Sequence, residues 1–268
     1  MASTNIAKLE TYGLLNVAGD DARVFLHGQL TNDVENLAPG QARYAGWCSA
    51  KGRLLATFLV VPWSGGFLLQ LSLDLVPTVL KRLSMFVLRS KVKITDASGL
   101  WAQYGVWAPG GSPLSVSEAD GAISVGIDAG RHLVLAPVGR FSPNASSNDW
   151  ALAEIRAGRA LIAQATQDQF VPQMVNLELS GGVDFKKGCY PGQEIVARSQ
   201  YRGTVKRRMV RLKGAALTPG QELSSDGQAI GMVVNAAGDE SLAVLQVSVI
   251  EAKSLVAPLE ILPLPYAA

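Results

Sequence analysis

The chain has 268 residues, of which 48% are apolar and 17% are charged, and its formal net charge is +2. This length and apolar content suit two or three small domains with buried cores and exclude a disordered chain. The longest apolar stretch, LLATFLVVPW, is far shorter than the ~20 residues of a bilayer span, and no signal-like segment opens the sequence, so we expect a cytoplasmic protein without a membrane partner.

The first third of the chain predicts strands and helices in neighbouring pairs. GLLNVAG predicts a strand, and Asp20 or Asp21 can cap a helix after it. The apolar residues of that helix repeat at the spacing of one buried face: Ala22, Phe25, Leu26 and Leu30. RLLATFLVV and GFLLQLS predict a hairpin that turns at residues 62–66. Asp74 is then expected to open a second helix, whose buried face would reach Val87, and KVKITDA and WAQYGVWA predict two further strands.

The rest of the chain suggests how these elements divide into domains. AISVGI and RHLVLAP predict another strand pair, and NDWALAEIRAGRALI predicts a helix. Paired strands without regular crossover helices indicate an α+β fold. We therefore predict a discontinuous α+β domain at residues 1–45 and 119–202, interrupted by an inserted α+β domain at residues 46–118. Residues 203–268 hold short strands separated by glycine turns, such as that at Asp226-Gly227, and no helix, which is typical of a small barrel or sandwich.

One of the two cysteines, Cys189, stands between glycines in the stretch KKGCYPGQE. Pro191-Gly192 suits the two central positions of a type II turn. If a short helix begins at Gln193, the thiol lies near its positive end, with two lysines close by, and each of these features favours the thiolate. The alternative is an inert cysteine in a tight turn, and the residues alone leave both interpretations open.

The inventory of other reactive groups excludes several kinds of site. Two cysteines outside any C-x-x-C pair and two histidines do not suggest a disulfide framework or a closed zinc site, and one such chain cannot supply a four-cysteine cluster. We predict no metal site. His27 lies on the flank of the first helix and is expected to be a surface or satisfied histidine. No nucleotide-binding loop or catalytic triad is evident.

A basic cluster surrounds the cysteine stretch. Nine basic residues stand between positions 186 and 213 against one acid, Glu194. The nine are Lys186, Lys187, Arg198, Arg202, Lys206, Arg207, Arg208, Arg211 and Lys213. Such a cluster suits phosphates or several carboxylates, but a solvated strand face would have the same composition. Tyr190 and Tyr201 could stack on a flat ring or simply pack on the surface.

The cysteine stretch resembles a known signature. KKGCYPGQEIVAR followed by YRG is similar to the motif of the YgfZ-type folate-binding proteins, relatives of the glycine-cleavage T-protein (aminomethyltransferase). FLHGQLTNDV, WCSAKGRLLATF and QFVPQMVNLELSGGVDFKKGCYPGQE fall in the family's order, so the resemblance spans residues from about 10 to 210. It implies a three-domain ring around a folate-accepting channel, with two α+β domains, one interrupted by the other, and a C-terminal antiparallel β-barrel.

The resemblance also implies a function. It points to a folate-binding accessory protein of iron-sulfur cluster assembly or repair, which supports iron-sulfur tRNA-modifying enzymes. Tetrahydrofolate would be the cofactor, and the assembly machinery or client iron-sulfur enzymes would be the partners. The activity would depend on Cys189, within the motif residues Lys187, Gly188, Cys189, Tyr190, Gly192, Gln193 and Glu194. The predicted folate contacts are Tyr12, Trp150, Tyr190, Arg198 and Arg202.

Two departures from the T-protein bear on activity. That enzyme carries an acidic pair where this chain has Leu55-Ala56, which cannot orient an amine or stabilise a cationic carbon, so we expect no independent turnover. Relatives often carry a pterin-holding glutamate where this chain has Arg156, and Glu154 is expected to point elsewhere. Two alternatives remain: a folate-dependent, aminomethyltransferase-like one-carbon transferase with another donor, and a tRNA-binding module that uses the basic cluster.

Overall fold

The computed structural model describes residues 4–225, 227–253, 255 and 258–266. The strands, in chain order, are β1 (Asn5–Lys8), β2 (Tyr12–Ala18), β3 (Arg43–Cys48), β4 (Leu54–Trp63), β5 (Gly66–Ser72), β6 (Lys93–Asp96), β7 (Ala102–Trp107), β8 (Val116–Ala119), β9 (Ala122–Asp128), β10 (Arg131–Ala136), β11 (Arg207–Lys213), β12 (Glu222–Ser225), β13 (Gln228–Ala237), β14 (Glu240–Gln246) and β15 (Glu260–Leu262). The α-helices are α1 (Ala22–Gln29), α2 (Val76–Ser84), α3 (Ser147–Arg156), α4 (Gln193–Tyr201) and α5 (Val247–Ala252).

The strands form three five-stranded antiparallel sheets. The first sheet has the order β3-β4-β5-β2-β6, the second β1-β7-β10-β9-β8, and the third β12-β13-β14-β11-β15. The prediction of a mixed α+β fold with strands in neighbouring pairs is confirmed. None of the helices in the described part of the chain combines the length and the apolar character needed to cross a lipid bilayer.

The first sheet separates two hydrophobic cores. Successive residues of a strand point to opposite faces, and in β2 Leu14 faces one core while Leu15 and Val17 face the other. β4 alternates in the same way, with Phe58 in one core and Leu59 in the other. Burial on both faces explains why the two strands read as nearly continuous apolar runs.

Several local predictions are confirmed with small changes. β4 and β5 form the predicted hairpin, and its turn is shorter than expected, because Trp63 already pairs with Gly66. α2 ends at Ser84, so Val87 lies beyond it. Asp21 precedes α1 but does not cap it with its side chain, because its carboxylate accepts a hydrogen bond from the backbone nitrogen of Lys91 at 2.7 Å.

The sheets cross the predicted domain boundaries. β2, from the segment at residues 1–45, pairs with β5 and β6 of the segment at residues 46–118. In return, β7 leaves that segment and pairs with β1 and β10. The division into domains therefore stays a prediction, and the described pairings show that its first two parts share sheets.

The C-terminal part contains a helix that the sequence did not predict. SLAVLQVSVI reads as one strand because of its β-branched residues, but β14 ends at Gln246 and α5 follows, with Val249 packed into the core of the third sheet. The first residue of the predicted Asp226-Gly227 turn lies outside the described residues, as do Val256 and Ala257 at the start of the predicted strand VAPLEIL. Closure of the third sheet into a barrel and the ring of domains stay predictions.

A buried ion-pair network joins the third sheet to α3. Glu240 is 3% exposed, and its carboxylate accepts hydrogen bonds from Arg156 at 2.8 Å and Arg211 at 2.7 Å. Burial raises the pKa of Glu240, but the bonds from the two arginines outweigh burial and bring it below the ordinary value. Asn235 links the third sheet to the segment that follows α3, because its side-chain amide accepts a hydrogen bond from the nitrogen of Leu161 and donates one to its carbonyl oxygen.

We expect Glu240→Gln to lower the free energy of unfolding at pH 7 by about 2 kcal/mol, since it weakens hydrogen bonds to two charged groups. A carboxylate with a lowered folded pKa contributes stability above its unfolded pKa, and this contribution is lost as the pH falls through the folded value. The deficit of the variant should therefore shrink below pH 4.5, the ordinary value for this group. Urea unfolding followed by circular dichroism measures the free energy of unfolding at each pH. The exposed Glu222→Gln is the control, and a pH-independent deficit would contradict the assignment.

Candidate functional site

A cavity lies where the first sheet, α3 and the third sheet meet. Its inner part has a volume of about 50 Å³ and its outer part about 510 Å³. Both parts are lined by Tyr12, Glu154, Arg159 and Leu161, so they adjoin. The outer volume lies within the range of small-molecule sites, roughly 300–1,000 Å³.

Four aromatic side chains line the inner part: Tyr12, Tyr44, Phe58 and Trp150. Trp150 is 3% exposed and is held from behind, since a Cβ added at Gly105 would lie only 2.2 Å from its ring. Trp107 packs edge-on against it with ring centroids 5.5 Å apart. Trp150 is therefore a core residue and a rigid wall of the cavity at once.

A single carboxylate, that of Glu154, lies at the junction of the two parts. Its Oε1 accepts hydrogen bonds from Arg131 at 2.7 Å and from Arg159 at 2.9 Å. Both bonds are to the same oxygen. No hydrogen bond from the described residues reaches the other oxygen, Oε2, which can therefore accept one from a ligand. Burial raises the pKa of Tyr12 and Tyr44, and the negative charge of Glu154 adds to this effect, so both phenols stay protonated at neutral pH.

Glu154 and Arg156 point in different directions, as expected, but the cavity lies on the side of Glu154. Residues two apart on a helix point to opposite sides, and on α3 it is Glu154 that lines the cavity. Arg156 instead extends away from it, is 54% exposed and bonds Glu240 of the third sheet. An acceptor is therefore present in the cavity, two positions before the one that the sequence comparison indicated.

The predicted turn and helix at Cys189 are confirmed. Gly192 has φ 78° and ψ 3°, the values of the third residue of a type II turn, and the nitrogen of Gln193 donates to the carbonyl oxygen of Tyr190 at 3.2 Å. α4 begins at Gln193. Cys189 is exposed, whereas Cys48 is buried and burial raises the pKa of its thiol to about 12. Cys189 is therefore the accessible thiol of the chain.

The turn packs backbone to backbone on the loop of the motif WCSAKGR. A Cβ added at Gly192 would lie 2.4 Å from the carbonyl oxygen of Ser49 and 2.6 Å from the Cα of Gly52. One added at Gly52 would lie 2.8 Å from Ile195 on α4. Contacts this short exclude any side chain, so the two motifs meet through their glycines.

Lys187 is buried and holds the other side of the turn. Its ammonium donates to the carbonyl oxygens of His27 and Leu30, the latter at 2.8 Å, at the end of α1. It also lies 4.9 Å above the ring of Tyr190, which is buried. Burial lowers the pKa of Lys187 to about 8. Lys187, one of the two lysines expected to add charge near the thiol, therefore caps a helix and also lies close enough to Cys189 to interact with it electrostatically.

His27 is placed next to the turn, which the sequence did not indicate. Its side chain is 14% exposed, and its Nδ1 lies 3.1 Å from Oδ1 of Asp33. Its Nε2 lies 3.5 Å from the position that a Cβ would take at Gly188. The FLHGQLTNDV motif shows a histidine six residues before an aspartate, but nothing in it locates the cysteine. Within the described residues, no group of three or more His, Cys, Asp and Glu side chains is arranged to hold a metal ion.

Comparisons with known proteins identify the family. No protein-family model matches the chain. It is 32% identical over 233 residues to the tRNA-modifying protein YgfZ of Klebsiella pneumoniae (strain 342), a match that covers 78% of this chain and 71% of that protein. The chain belongs to the YgfZ family. The YgfZ of Vibrio vulnificus (strain YJ016) is 30% identical over 227 residues, with 78% and 70% covered.

The fold of this YgfZ-family chain resembles that of a solved enzyme. The glycine cleavage system aminomethyltransferase T from Bartonella henselae superposes with a TM-score of 0.65, covering 92% of this chain and 79% of that one. Sequence identity is 15%, so the likeness concerns the fold. In this chain Leu55 and Ala56, the apolar pair noted above, are both buried in the core.

The structure brings together only part of the predicted folate site. Tyr12 and Trp150 line the cavity, whereas Tyr190, Arg198 and Arg202 are absent from the described lining and lie with the cysteine turn and α4. Arg159, which the sequence did not single out, is the cation in the lining. The assignment of all five residues to folate stays a prediction.

The basic cluster is smaller than the sequence count suggests. Arg208 pairs with Glu178, Arg211 pairs with Glu240, and Lys187 caps α1. Both acids lie outside the counted window, which is why the sequence missed them. The residues that remain exposed, without an ion pair among the described residues, are Lys186, Arg198, Arg202, Lys206 and Arg207.

We expect Gly192→Ala to destabilise the protein more than Gly121→Ala. Both glycines have similar positive φ, 78° and 71°, but an added Cβ meets nothing within 4 Å at Gly121. In the control, the free energy of unfolding should fall by about 1 kcal/mol, the cost of placing a residue other than glycine in the left-handed region. In Gly192→Ala it should fall by a further ~1–3 kcal/mol because of the clash with the Ser49 loop. Urea unfolding measures both, and equal losses would show that the packing of the two motifs is unimportant.

Proposed function

We propose that this YgfZ-family protein is a folate-binding accessory protein of iron-sulfur cluster assembly or repair, which supports iron-sulfur tRNA-modifying enzymes. The observation that carries the proposal is the pairing of an aromatic cavity centred on Glu154 with a separate, exposed thiol at Cys189. The relatives named tRNA-modifying protein support the link to tRNA modification.

The residues of the cavity fit tetrahydrofolate. Arg131 lies over the ring of Trp150 at 5.0 Å and Arg159 over that of Tyr44 at 5.7 Å, so Tyr12, which lines both parts, provides the aromatic contact for a pterin ring in the outer part. The free Oε2 of Glu154 provides the acceptor that the amino edge of a pterin requires, and Arg159 lies beside it as a donor. When bound, tetrahydrofolate would supply a carrier for one-carbon units.

The chain's own groups in the cavity favour binding over group transfer. Glu154 is held in place by two arginines, which occupy one of its two carboxylate oxygens. The apolar pair Leu55 and Ala56 is buried in the core and provides no carboxylate. These features support an accessory role rather than the one-carbon transferase alternative.

Cys189 would act on iron-sulfur clusters as cargo. Its thiolate is a soft ligand suited to iron in such clusters. One accessible thiol cannot supply all the ligands of a cluster, and Cys48 is buried with a raised pKa. The other ligands would therefore come from the partner, and the rigid turn that exposes Cys189 suits such a transient, shared contact.

We expect Glu154→Gln to weaken tetrahydrofolate binding by about 10–100-fold, the value of a hydrogen bond to a charged acceptor. Isothermal titration calorimetry with tetrahydrofolate under nitrogen measures the affinity. Arg156→Gln is the matched control on the same helix and should leave the affinity within about twofold, because Arg156 points away from the cavity. The assignment would be contradicted if Arg156→Gln bound tetrahydrofolate more weakly than the wild type and Glu154→Gln bound it equally well.

We expect Cys189→Ala to reduce the product of an iron-sulfur tRNA-modifying enzyme to the level of cells that lack the protein, because the accessible thiol is removed. Modified nucleosides are measured by mass spectrometry of digested tRNA. Cys48→Ala should keep normal levels, and both variants should bind tetrahydrofolate like the wild type. Normal modification in Cys189→Ala cells would exclude the thiol from the function, and formation of methylenetetrahydrofolate by the purified protein would favour the transferase alternative.

A further inference from the structure

An apolar strip is exposed on α1 and on the loop that follows α2. Its large members have highly exposed side chains: Val24 at 62%, Met85 at 68%, Phe86 at 43% and Leu88 at 88%. Gly28, one turn after Val24 on α1, is also exposed and has nothing within 4 Å of its Cβ position. We call these five residues the α1 strip. Contiguous exposed apolar side chains mark interaction surfaces more often than isolated ones do.

The loop and the helix form one surface. Phe86 packs edge-on against Trp47 at 6.3 Å, and the indole nitrogen of Trp47 donates to Gln29 at the end of α1. At the other end of the helix, Asp21 lines the same depression as Phe86 and Leu88. The loop therefore runs along the length of α1, beside the exposed positions of the helix.

Leu88 is exposed in a strained backbone conformation. Its φ is +46°, in the left-handed region that leucine rarely adopts and glycine tolerates. The side chain gains no packing in return, because it is the most exposed large apolar residue described. Strained residues of this kind collect at binding and functional sites.

The α1 strip lies beside Cys189. Val24 precedes His27 by one helical turn, so the two share a face of α1. The ring of His27 lies beside Gly188, 3.5 Å from the position that a Cβ would take there, and Lys187 fixes the cysteine turn to the end of the same helix. A molecule seated on the strip would therefore be held next to the accessible thiol.

The charges around the strip indicate an acidic partner. Residues 76–93 contain five cations and no carboxylate. Arg82 and Arg89 are exposed on either side of the apolar loop, and Lys186 is exposed before the cysteine turn. An anionic membrane would also meet the exposed carboxylates of Asp20 and Glu35, whereas a protein can place its carboxylates against the arginines alone.

We propose that the α1 strip docks a protein partner that presents apolar side chains flanked by carboxylates, and that docking seats this partner beside Cys189. That the partner is an iron-sulfur tRNA-modifying enzyme rests on the proposed function. The strip supplies the apolar contact and the arginines around it supply the orientation.

The test measures binding of a purified iron-sulfur tRNA-modifying enzyme from the same organism by biolayer interferometry. Leu88→Glu and Met85→Glu should each weaken its binding by about tenfold or more, because each places a charge in the apolar contact. Neither side chain is packed, so both variants should keep the wild-type circular dichroism spectrum and melting temperature. Leu100→Glu, at a position 73% exposed outside the strip, is the matched control and should stay within about twofold of the wild type.

Absence of binding by the wild type, or equal losses in Leu88→Glu and Leu100→Glu, would overturn the docking proposal. Sedimentation of the wild type with phosphatidylglycerol vesicles, lost in Leu88→Glu, would overturn it in favour of a membrane surface. The proposed function is judged separately, because Cys189→Ala should bind the enzyme normally while failing to restore tRNA modification. If Cys189→Ala still binds the enzyme and Leu88→Glu does not, the docking proposal is supported. This holds even if cells with Cys189→Ala modify tRNA normally.

Discussion

The buried ammonium of Lys187 is the interaction on which the arrangement of this protein depends. A charge removed from water is costly unless it is bonded, and here the bonds are to the carbonyl groups at the end of α1. Those carbonyls lack partners within the helix, so one contact satisfies both sides. As a result the cysteine turn is fixed to α1, Tyr190 is covered, and Cys189 remains exposed.

A second pairing organises the cavity. Arg131 and Arg159 hold one oxygen of Glu154 and leave the other as an acceptor within aromatic walls. The cavity is lined by residues of α3 and of β2 to β4, whereas the cysteine turn is held by α1, α4 and the loop between β3 and β4. This arrangement places the cavity and the exposed thiol in separate parts of the fold. It also explains why the basic residues near Cys189 are absent from the described cavity lining.

Features that depend on neighbours in the chain could be predicted well. The type II turn followed from Pro191-Gly192, and the helix after it from the residues that follow, because turn geometry is decided by a few adjacent dihedral angles. The apolar runs of β4 and β5 indicated their hairpin for the same reason. α5 was missed, since its β-branched residues favour a strand by propensity and only its packing in the third core selects a helix.

The sequence by itself determined the α+β character, the local turns, the glycine-framed motif around Cys189 and the resemblance to the YgfZ family. Only the tertiary structure decided which side of α3 faces the cavity, and hence that Glu154 rather than Arg156 lines it. It also decided that Lys187 caps α1 and that His27 lies beside the cysteine turn. The physical reason is that helical periodicity sets the angle between two side chains but not the direction of the core, which depends on contacts between residues more than a hundred positions apart.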